Sequence, residues 1–259
     1  MWSCGGGRIR LMSLVNVHAP VDESTHATCV RDGLFTYRRG RHGPEADLIA
    51  RFLSRLTVDV PDGCKWMVFS EPQLECGVPD IVIAVWHAAT MMAWGPARAS
   101  IRPRDLRLMQ FIVNRPGVSD AQIRTIYSSM AVGALRRLKE ANLIHRVAER
   151  WFPHPISNCY GLRGLIAIEA KVNHWTRVIE QARRNTWFAT QSLALVPAEN
   201  IARLDGFTLS DGVRLCTDGS AAIRCSVART HARPKCYVSW AFNEVVWRTQ
   251  YARATLGNL

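Results

Sequence analysis

The chain has 259 residues, 48% of them hydrophobic, so one or two domains with buried cores are expected and a low-complexity chain is excluded. Lysine and arginine outnumber aspartate and glutamate by 33 to 21. The resulting net charge of +12 favours a polyanionic partner, for which nucleic acid is a commoner choice than an acidic membrane surface. The eight cysteines include no C-x-x-C pair, which argues against a zinc or redox motif and favours small buried hydrophobes.

Membrane and export signals are weak in this sequence. No apolar stretch reaches the roughly 18 residues that a membrane helix needs, so no membrane partner is expected. The apolar run from Leu11 to Val15 is short and lacks a small-residue cleavage site, so a signal peptide is not predicted. We therefore expect a cytoplasmic protein.

Residues 1–40 show little periodicity and are predicted to form an irregular lead-in. From Pro44, a good first helical residue, the hydrophobic spacing predicts a helix. The later elements alternate between strands and helices: strands at 66–69, 78–86 and 164–172, a helix at about 175–190, a strand at 192–196 and a short helix at 198–204. This order predicts an α/β fold.

A segment of different character, residues 101–153, lies between the second and third of these strands. Its spacing predicts three short helices, the second opening at an N-cap formed by Ser119, and then two strands at 143–147 and 151–152. Three helices followed by a hairpin resemble the winged helix-turn-helix domain of MarR-like regulators. The resemblance implies an inserted DNA-binding domain, with residues 41–100 and 154–259 forming one discontinuous domain around it.

The tail is expected to add a hairpin and a helix. The segments 212–216 and 221–227 flank Thr217-Asp218-Gly219, which is typical of a hairpin turn. A last helix is predicted from about Trp240 to Arg253.

Charged residues at two strand ends are candidates for chemistry. Asp80 follows Pro79, and Glu169 and Lys171 share one strand face because they lie two residues apart. Hydrolysis of a phosphodiester needs a hard cation, which carboxylates hold, and a group that orients or deprotonates the attacking water. Read conservatively, Glu169 and Lys171 would instead be an ion pair at a strand end, which contributes little to stability.

These residues resemble the PD-(D/E)xK nuclease superfamily. The resemblance implies the restriction-endonuclease-like fold, a mixed sheet flanked by helices. The resemblance covers about residues 44–100 and 160–200, and it implies Mg²⁺ or Mn²⁺ held by Asp80 and Glu169, with Lys171 as the catalytic cation. It also assigns a metal role to Glu45 on the first helix and a catalytic role to Gln181. The sequence departs from the family in the long separation of the two acids, and the inserted domain accounts for most of it.

The residues assigned by resemblance also have simpler interpretations. Glu45 could be a first-turn acid that the helix dipole favours. Gln181, Arg184 and Asn185 could form a solvated helix face rather than a surface near DNA.

Contacts with DNA are expected from two helices. In a winged helix-turn-helix domain the recognition helix enters the major groove, so its cations and small polar residues would face the bases. The alternative is that these cations only make the protein soluble. The residues expected to contact DNA are Ser129, Met130, Gly133, Arg136 and Arg137 in the insertion, and Arg177 and Arg184 on the helix after Lys171.

The sequence therefore predicts a metal-dependent endonuclease acting on double-stranded DNA in restriction, repair or mobile-element processing. Cutting both strands requires two active centres, which favours a homodimer. The rival prediction is a DNA-binding regulator that uses the nuclease-like domain as a scaffold or for dimerisation. A third is a winged helix that binds protein, which the net charge of +12 disfavours.

Overall fold

A computed structural model describes residues 25–26, 34–38, 42–75, 77–128, 130–204, 212–220, 222–224 and 233–256. Within them the strands, in chain order, are β1 (Thr25–His26), β2 (Thr36–Tyr37), β3 (Thr57–Asp59), β4 (Cys64–Ser70), β5 (Pro72–Gln73), β6 (Ile81–His87), β7 (Val118–Ser119), β8 (Ile144–Val147), β9 (Arg150–Pro153), β10 (Leu162–Ala170), β11 (Gln191–Val196), β12 (Val213–Thr217) and β13 (Ala222–Arg224).

The helices of the same described residues lie between these strands. They are α1 (Pro44–Ser54), α2 (Ala88–Met92), α3 (Pro103–Asn114), α4 (Asp120–Tyr127), α5 (Met130–Glu140), α6 (Ile156–Cys159), α7 (Trp175–Asn185) and α8 (Tyr237–Leu256), with 3-10 helices at Pro96–Ser100 and Ala198–Leu204. Among these helices, none combines the length and the apolar character that crossing a membrane requires.

Six of the described strands form one mixed sheet in the order β1-β4-β6-β10-β11-β12. The strands β4, β6 and β10 pair antiparallel, whereas β10, β11 and β12 pair parallel. The helix α7 connects the parallel strands β10 and β11 and packs on β11 through Val178, Ile179 and Ala182. The predicted α/β class is confirmed.

Both faces of the central strands are buried. Alternate residues of β10, such as Ile166 and Ile168, pack with Leu48 and Phe52 of α1. The intervening residues, such as Leu165, belong to a second cluster that includes the aromatic residues of α8. Burial on both sides explains why these strands are continuously apolar in sequence.

The segment between β6 and β10 contains the predicted helices and hairpin, as α3, α4, α5, β8 and β9. The short strand β7 adds to the hairpin in the order β7-β9-β8. Ser119 caps α4 as expected: Gln122 N donates to Ser119 Oγ at 3.4 Å, and Ser119 N donates to Gln122 Oε1 at 2.9 Å. This reciprocal capping box supplies partners for backbone donors that a helix start otherwise leaves without them.

The inserted segment shares its core with the rest of the protein. Leu106, Met109 and Ile112 of α3 are buried in the same cluster as Trp240 and Trp247 of α8. The long helix α8 therefore packs against both the central sheet and the insertion, and ties the two together.

Several sequence predictions need correction. The lead-in contains β1, which pairs with β4, and β2, which pairs with β5; much of the remainder lies outside the described residues. The tail strands do not form a hairpin, since β12 pairs parallel with β11 and β13 pairs parallel with β3. The helix α7 ends at Asn185, earlier than the predicted end near residue 190. The helix α8 begins at Tyr237, three residues before the predicted start at about Trp240.

A buried ion pair joins the segments at the base of the insertion. Arg98 is 2% exposed and Glu244 of α8 is fully buried. Arg98 Nε donates to Glu244 Oε2 at 3.0 Å, and Arg98 Nη2 donates to both Glu244 Oε1 and the carbonyl oxygen of Cys159. Asn243 completes the network by accepting from Gly161 N at 2.8 Å. These bonds compensate for removing two charges from water.

Replacing Arg98 by alanine should destabilise the protein by about 3–5 kcal/mol, because it leaves Glu244 buried without its cation. Denaturant unfolding of the purified variant measures this change. The double variant Arg98→Met with Glu244→Leu should recover most of the loss, and Arg183→Ala, at an exposed position on α7, should change the free energy of unfolding by less than about 0.5 kcal/mol. Equal effects of Arg98→Ala and Arg183→Ala would contradict this account.

Candidate functional site

The antiparallel pairing of β6 with β10 brings two distant parts of the chain together. The start of β6 lies beside the end of β10, and the pairing of Ile81 with Ile168, continued by one residue, sets Asp80 opposite Glu169. Asp80 immediately precedes β6 rather than lying within it, and Lys171 immediately follows β10. The structure therefore brings Asp80, Glu169 and Lys171 together at one end of the central strands of the sheet.

Asp80 is held by the backbone of the neighbouring strand. The residue is 8% exposed, and its Oδ2 accepts a hydrogen bond from Ala170 N at 2.8 Å. Its own carbonyl oxygen accepts from Glu71 N at 2.9 Å. Because Ala170 stands between Glu169 and Lys171, this one bond fixes Asp80 relative to both.

Glu169 has a partner that the sequence prediction missed. The carboxylate is 4% exposed, and Oε1 accepts from Asn185 Nδ2 of α7 at 2.8 Å. Asn185 was expected on the solvated face of its helix, but it is 4% exposed. The signal was present, because Asn185 continues the buried spacing of Val178 and Ala182 by one further turn.

Lys171 is buried and is bound to the first helix. Its Nζ donates to Glu45 Oε2 at 2.8 Å and to the carbonyl oxygen of Ala170 at 2.9 Å. The side chain of Lys171 is 10% exposed and that of Glu45 is 36% exposed. Glu45 therefore reaches the site as predicted, but the contact that it makes is with the lysine.

Gln181 has a buried side-chain oxygen that accepts no hydrogen bond from the described residues. Its Oε1 atom is buried and has no hydrogen-bond partner in the part of the chain that the structure describes. Gln181 lies one turn before Asn185 on α7, and α7 runs back along β10 to reach the parallel strand β11. A buried oxygen of this kind calls for a donor or a cation.

The donor set of the site suits a hard cation. Asp80 and Glu169 supply carboxylate oxygens, which Mg²⁺ and Mn²⁺ prefer to nitrogen or sulfur. Within the described residues, no three side chains of His, Cys, Asp or Glu are grouped as a complete ligand set. Two protein carboxylates still fit Mg²⁺, because this ion commonly keeps several waters and uses one or two protein carboxylates.

The cysteines of the described residues lie elsewhere and are free thiols. Burial raises the pKa of the Cys159 thiol and of the Cys216 thiol to about 12. Both thiols are therefore protonated at neutral pH, which disfavours them as nucleophiles or metal ligands.

The arginines predicted to contact DNA differ in their surroundings. Arg136 on α5 is 73% exposed, with Glu140 Oε1 3.9 Å from its Nε atom. Arg137, by contrast, donates to both carboxylate oxygens of the buried Asp105, at 2.7 Å each, and its contact with DNA stays a prediction. Gly133 is partly exposed on the same helix, whereas Ser129 and the side chain of Met130 lie outside the described residues.

The two arginines predicted on α7 are both exposed. Arg184 Nη2 donates to Glu180 Oε1 at 2.5 Å, one turn earlier on the same helix. Arg177 lies close to the start of α7, two turns before Arg184. Neither arginine takes part in the hydrogen bonds that hold Asp80, Glu169 and Lys171.

Protein-family models, curated proteins and solved structures give no match to this chain. Its function is therefore inferred from the residues and the geometry of the site.

Two substitutions at Asp80 should separate its structural role from its charge. Asp80→Ala removes the acceptor of Ala170 N and should destabilise the protein by about 1–3 kcal/mol. Asp80→Asn keeps an acceptor oxygen and should cost less than about 1 kcal/mol. Denaturant unfolding of both variants checks this difference, and equal losses of stability would show that the bond to Ala170 does not hold the strand end.

Proposed function

We propose that the protein is a metal-dependent deoxyribonuclease that hydrolyses phosphodiester bonds in double-stranded DNA. The observation that carries the proposal is the meeting of Asp80, Glu169 and Lys171 at one end of the central strands, although these residues come from distant parts of the sequence. Structural roles alone do not require two carboxylates and an amine buried at a strand end, because each costs free energy to remove from water.

The order of elements supports a restriction-endonuclease-like fold. A helix, three antiparallel strands, a second helix and a further strand follow one another as α1, β4, β6, β10, α7 and β11. This is the order that the sequence resemblance implies, with Asp80 immediately before the second of these strands and Glu169 on the third. The inserted segment would then be a winged helix-turn-helix domain, with α4 and α5 as its helix-turn-helix and β8 and β9 as its wing.

In this proposal Asp80 and Glu169 hold Mg²⁺ or Mn²⁺. When bound, such a cation polarises a phosphoryl oxygen and lowers the pKa of a bound water. The backbone bond from Ala170 N fixes the carboxylate of Asp80, and the amide of Asn185 fixes that of Glu169. Fixed ligands favour activity because little reorganisation is needed when the substrate arrives.

Lys171 would orient the attacking water and stabilise the charge that develops on the phosphate. Glu45 holds its Nζ atom at 2.8 Å, so Glu45 would position the lysine, and any metal contact of Glu45 would pass through water. Gln181, with its buried oxygen lacking a partner, would accept a hydrogen bond from the water or the substrate.

One observation favours the rival function, a DNA-binding regulator that uses this domain as a scaffold. Lys171 is neutralised by Glu45. An ion pair in a domain without activity would look the same. The two functions differ in whether added metal produces cleavage.

Purified protein should cleave supercoiled, linear or branched DNA in the presence of Mg²⁺ or Mn²⁺ and not in the presence of EDTA. Lys171→Ala should lower the cleavage rate by about 10²–10⁴-fold, the range that a general acid or base contributes. DNA binding should persist in this variant. If every substrate stays intact with both metals while DNA is still bound, the protein is a binding protein and not an enzyme.

Metal binding should be measurable without activity. Isothermal titration with Mn²⁺ should detect a site in the wild type that Asp80→Asn and Glu169→Gln each weaken by at least about tenfold, since each removes one charged ligand. Asp62→Asn, at an exposed position before β4, removes an equal charge outside the site and should leave the affinity unchanged. Equal affinity in all four proteins would remove Asp80 and Glu169 from the metal site.

A further inference from the structure

A pocket rich in arginine lies away from the proposed nuclease site. Its volume is about 520 Å³, and it is bounded by the end of the 3-10 helix Pro96–Ser100, the start of α3, the second half of α5, and α8. Four arginines and one acidic residue line it: Arg102, Arg136, Arg137, Arg248 and Glu140. These arginines come from three separate parts of the sequence, so the fold concentrates positive charge at this point.

Two of the arginines are fixed by the protein itself. Arg137 is bound by both carboxylate oxygens of Asp105, which is 1% exposed and also accepts from Arg102 N at 2.8 Å. Arg248 Nη2 donates to the carbonyl oxygen of Ile101 at 2.5 Å. Their guanidinium groups form walls of the pocket whose positions do not depend on a ligand.

The other two arginines are exposed at its rim. Arg136 is 73% exposed, and its Nε atom is 3.9 Å from Glu140 Oε1, too far for a hydrogen bond. Arg102 is exposed at the residue before α3. Two acidic residues are close to the four arginines: Glu140, which lines the pocket, and Asp105, which binds Arg137. The arginines outnumber these acids, so the pocket attracts an anion.

We propose that this pocket binds a phosphodiester group in the backbone of duplex DNA. A guanidinium group is planar and presents a fork of donors that matches the oxygens of a phosphate. The proposal rests on the proposed function in taking duplex DNA as the partner. It assigns Arg136 and Arg102 to phosphate contacts beside α5, and it makes Arg137 a positioning residue of the pocket rather than a base reader.

The location beside α5 suggests what a phosphate contact at the pocket would do. In the proposed domain α5 is the helix that enters the major groove, and phosphate contacts on either side of such a helix set its register and orientation on the duplex. The pocket also contains Arg248 of α8, the helix that packs on the central sheet. A phosphate bound here would therefore be held by the insertion and by the body of the protein together.

The test compares two double variants in EDTA, where no cleavage occurs. Arg102→Gln with Arg136→Gln removes the two exposed arginines of the pocket. The control, Arg104→Gln with Lys139→Gln, removes the same charge from exposed positions on α3 and α5 that do not line it. Fluorescence anisotropy measures the affinity for a labelled duplex over a series of salt concentrations, and thermal unfolding confirms that both variants fold.

The pocket variant should bind the duplex on the order of 10–100-fold more weakly near 0.1 M salt. Its plot of log affinity against log salt should be shallower by about 2, because two arginine contacts to the DNA backbone are lost. The control should change the slope by clearly less. Equal losses in the two double variants, or a wild type that does not bind duplex DNA, would overturn the proposal.

A second measurement tests for a small anion instead of DNA. If inorganic tripolyphosphate raises the unfolding temperature of the wild type but not of the pocket variant, while both bind the duplex equally, the site takes a free polyphosphate and the proposal fails. The cleavage assay remains separate. If the pocket variant binds the duplex more weakly but the wild type does not cleave DNA, the pocket proposal is supported and the nuclease proposal is rejected. If the wild type cleaves DNA but the pocket variant binds the duplex as tightly as the wild type, the nuclease proposal is supported and the pocket proposal is rejected.

Discussion

The chain leaves the central sheet at His87 and returns to it at Leu162, and the antiparallel pairing of β6 with β10 closes this excursion. The rest of the molecule depends on that pairing. It brings the beginning of one strand beside the end of the other, so that Asp80 meets Glu169 and Lys171. It also sets the ends of the insertion side by side, and this lets a whole folded segment be accommodated between two neighbouring strands, with one shift of register between Leu162 and Gly164.

The polar groups at this end of the central strands are arranged as pairs among apolar residues. Asp80 is bound by a backbone amide, Glu169 by Asn185, and Lys171 by Glu45. Each pair offsets part of the desolvation cost of its members. The same bonds restrict the side chains to one arrangement, and restricted ligands are what a metal site needs.

The arginines divide into two groups with different physical roles. Arg98 and Arg137 are tied to the buried carboxylates Glu244 and Asp105, and they connect helices within the protein. Arg136 and Arg177 are exposed and are available to a partner. Net charge alone does not distinguish the groups, because an arginine contributes the same charge whether it holds the fold together or faces solvent.

Much of the secondary structure followed from the sequence. Periodicity located α1, β4, β10, β11 and the helices of the insertion, and the N-cap residue Ser119 marked the start of α4, because these signals arise from residues close together in the chain. The three charged residues of the site were also visible as a motif. Their assignment to a metal site and to DNA cleavage came from a resemblance and remains a prediction.

Only the tertiary structure decided which distant groups meet. It paired β12 with β11 and β13 with β3 where a local hairpin was expected, and it turned Asn185 inward to Glu169. It also paired Arg137 with Asp105 and brought the arginines of the pocket together from separate segments. The physical reason is common to all of these. A helix or a turn is set by neighbours in sequence, whereas the partner of a strand edge or a buried charge is chosen by the packing of the whole chain.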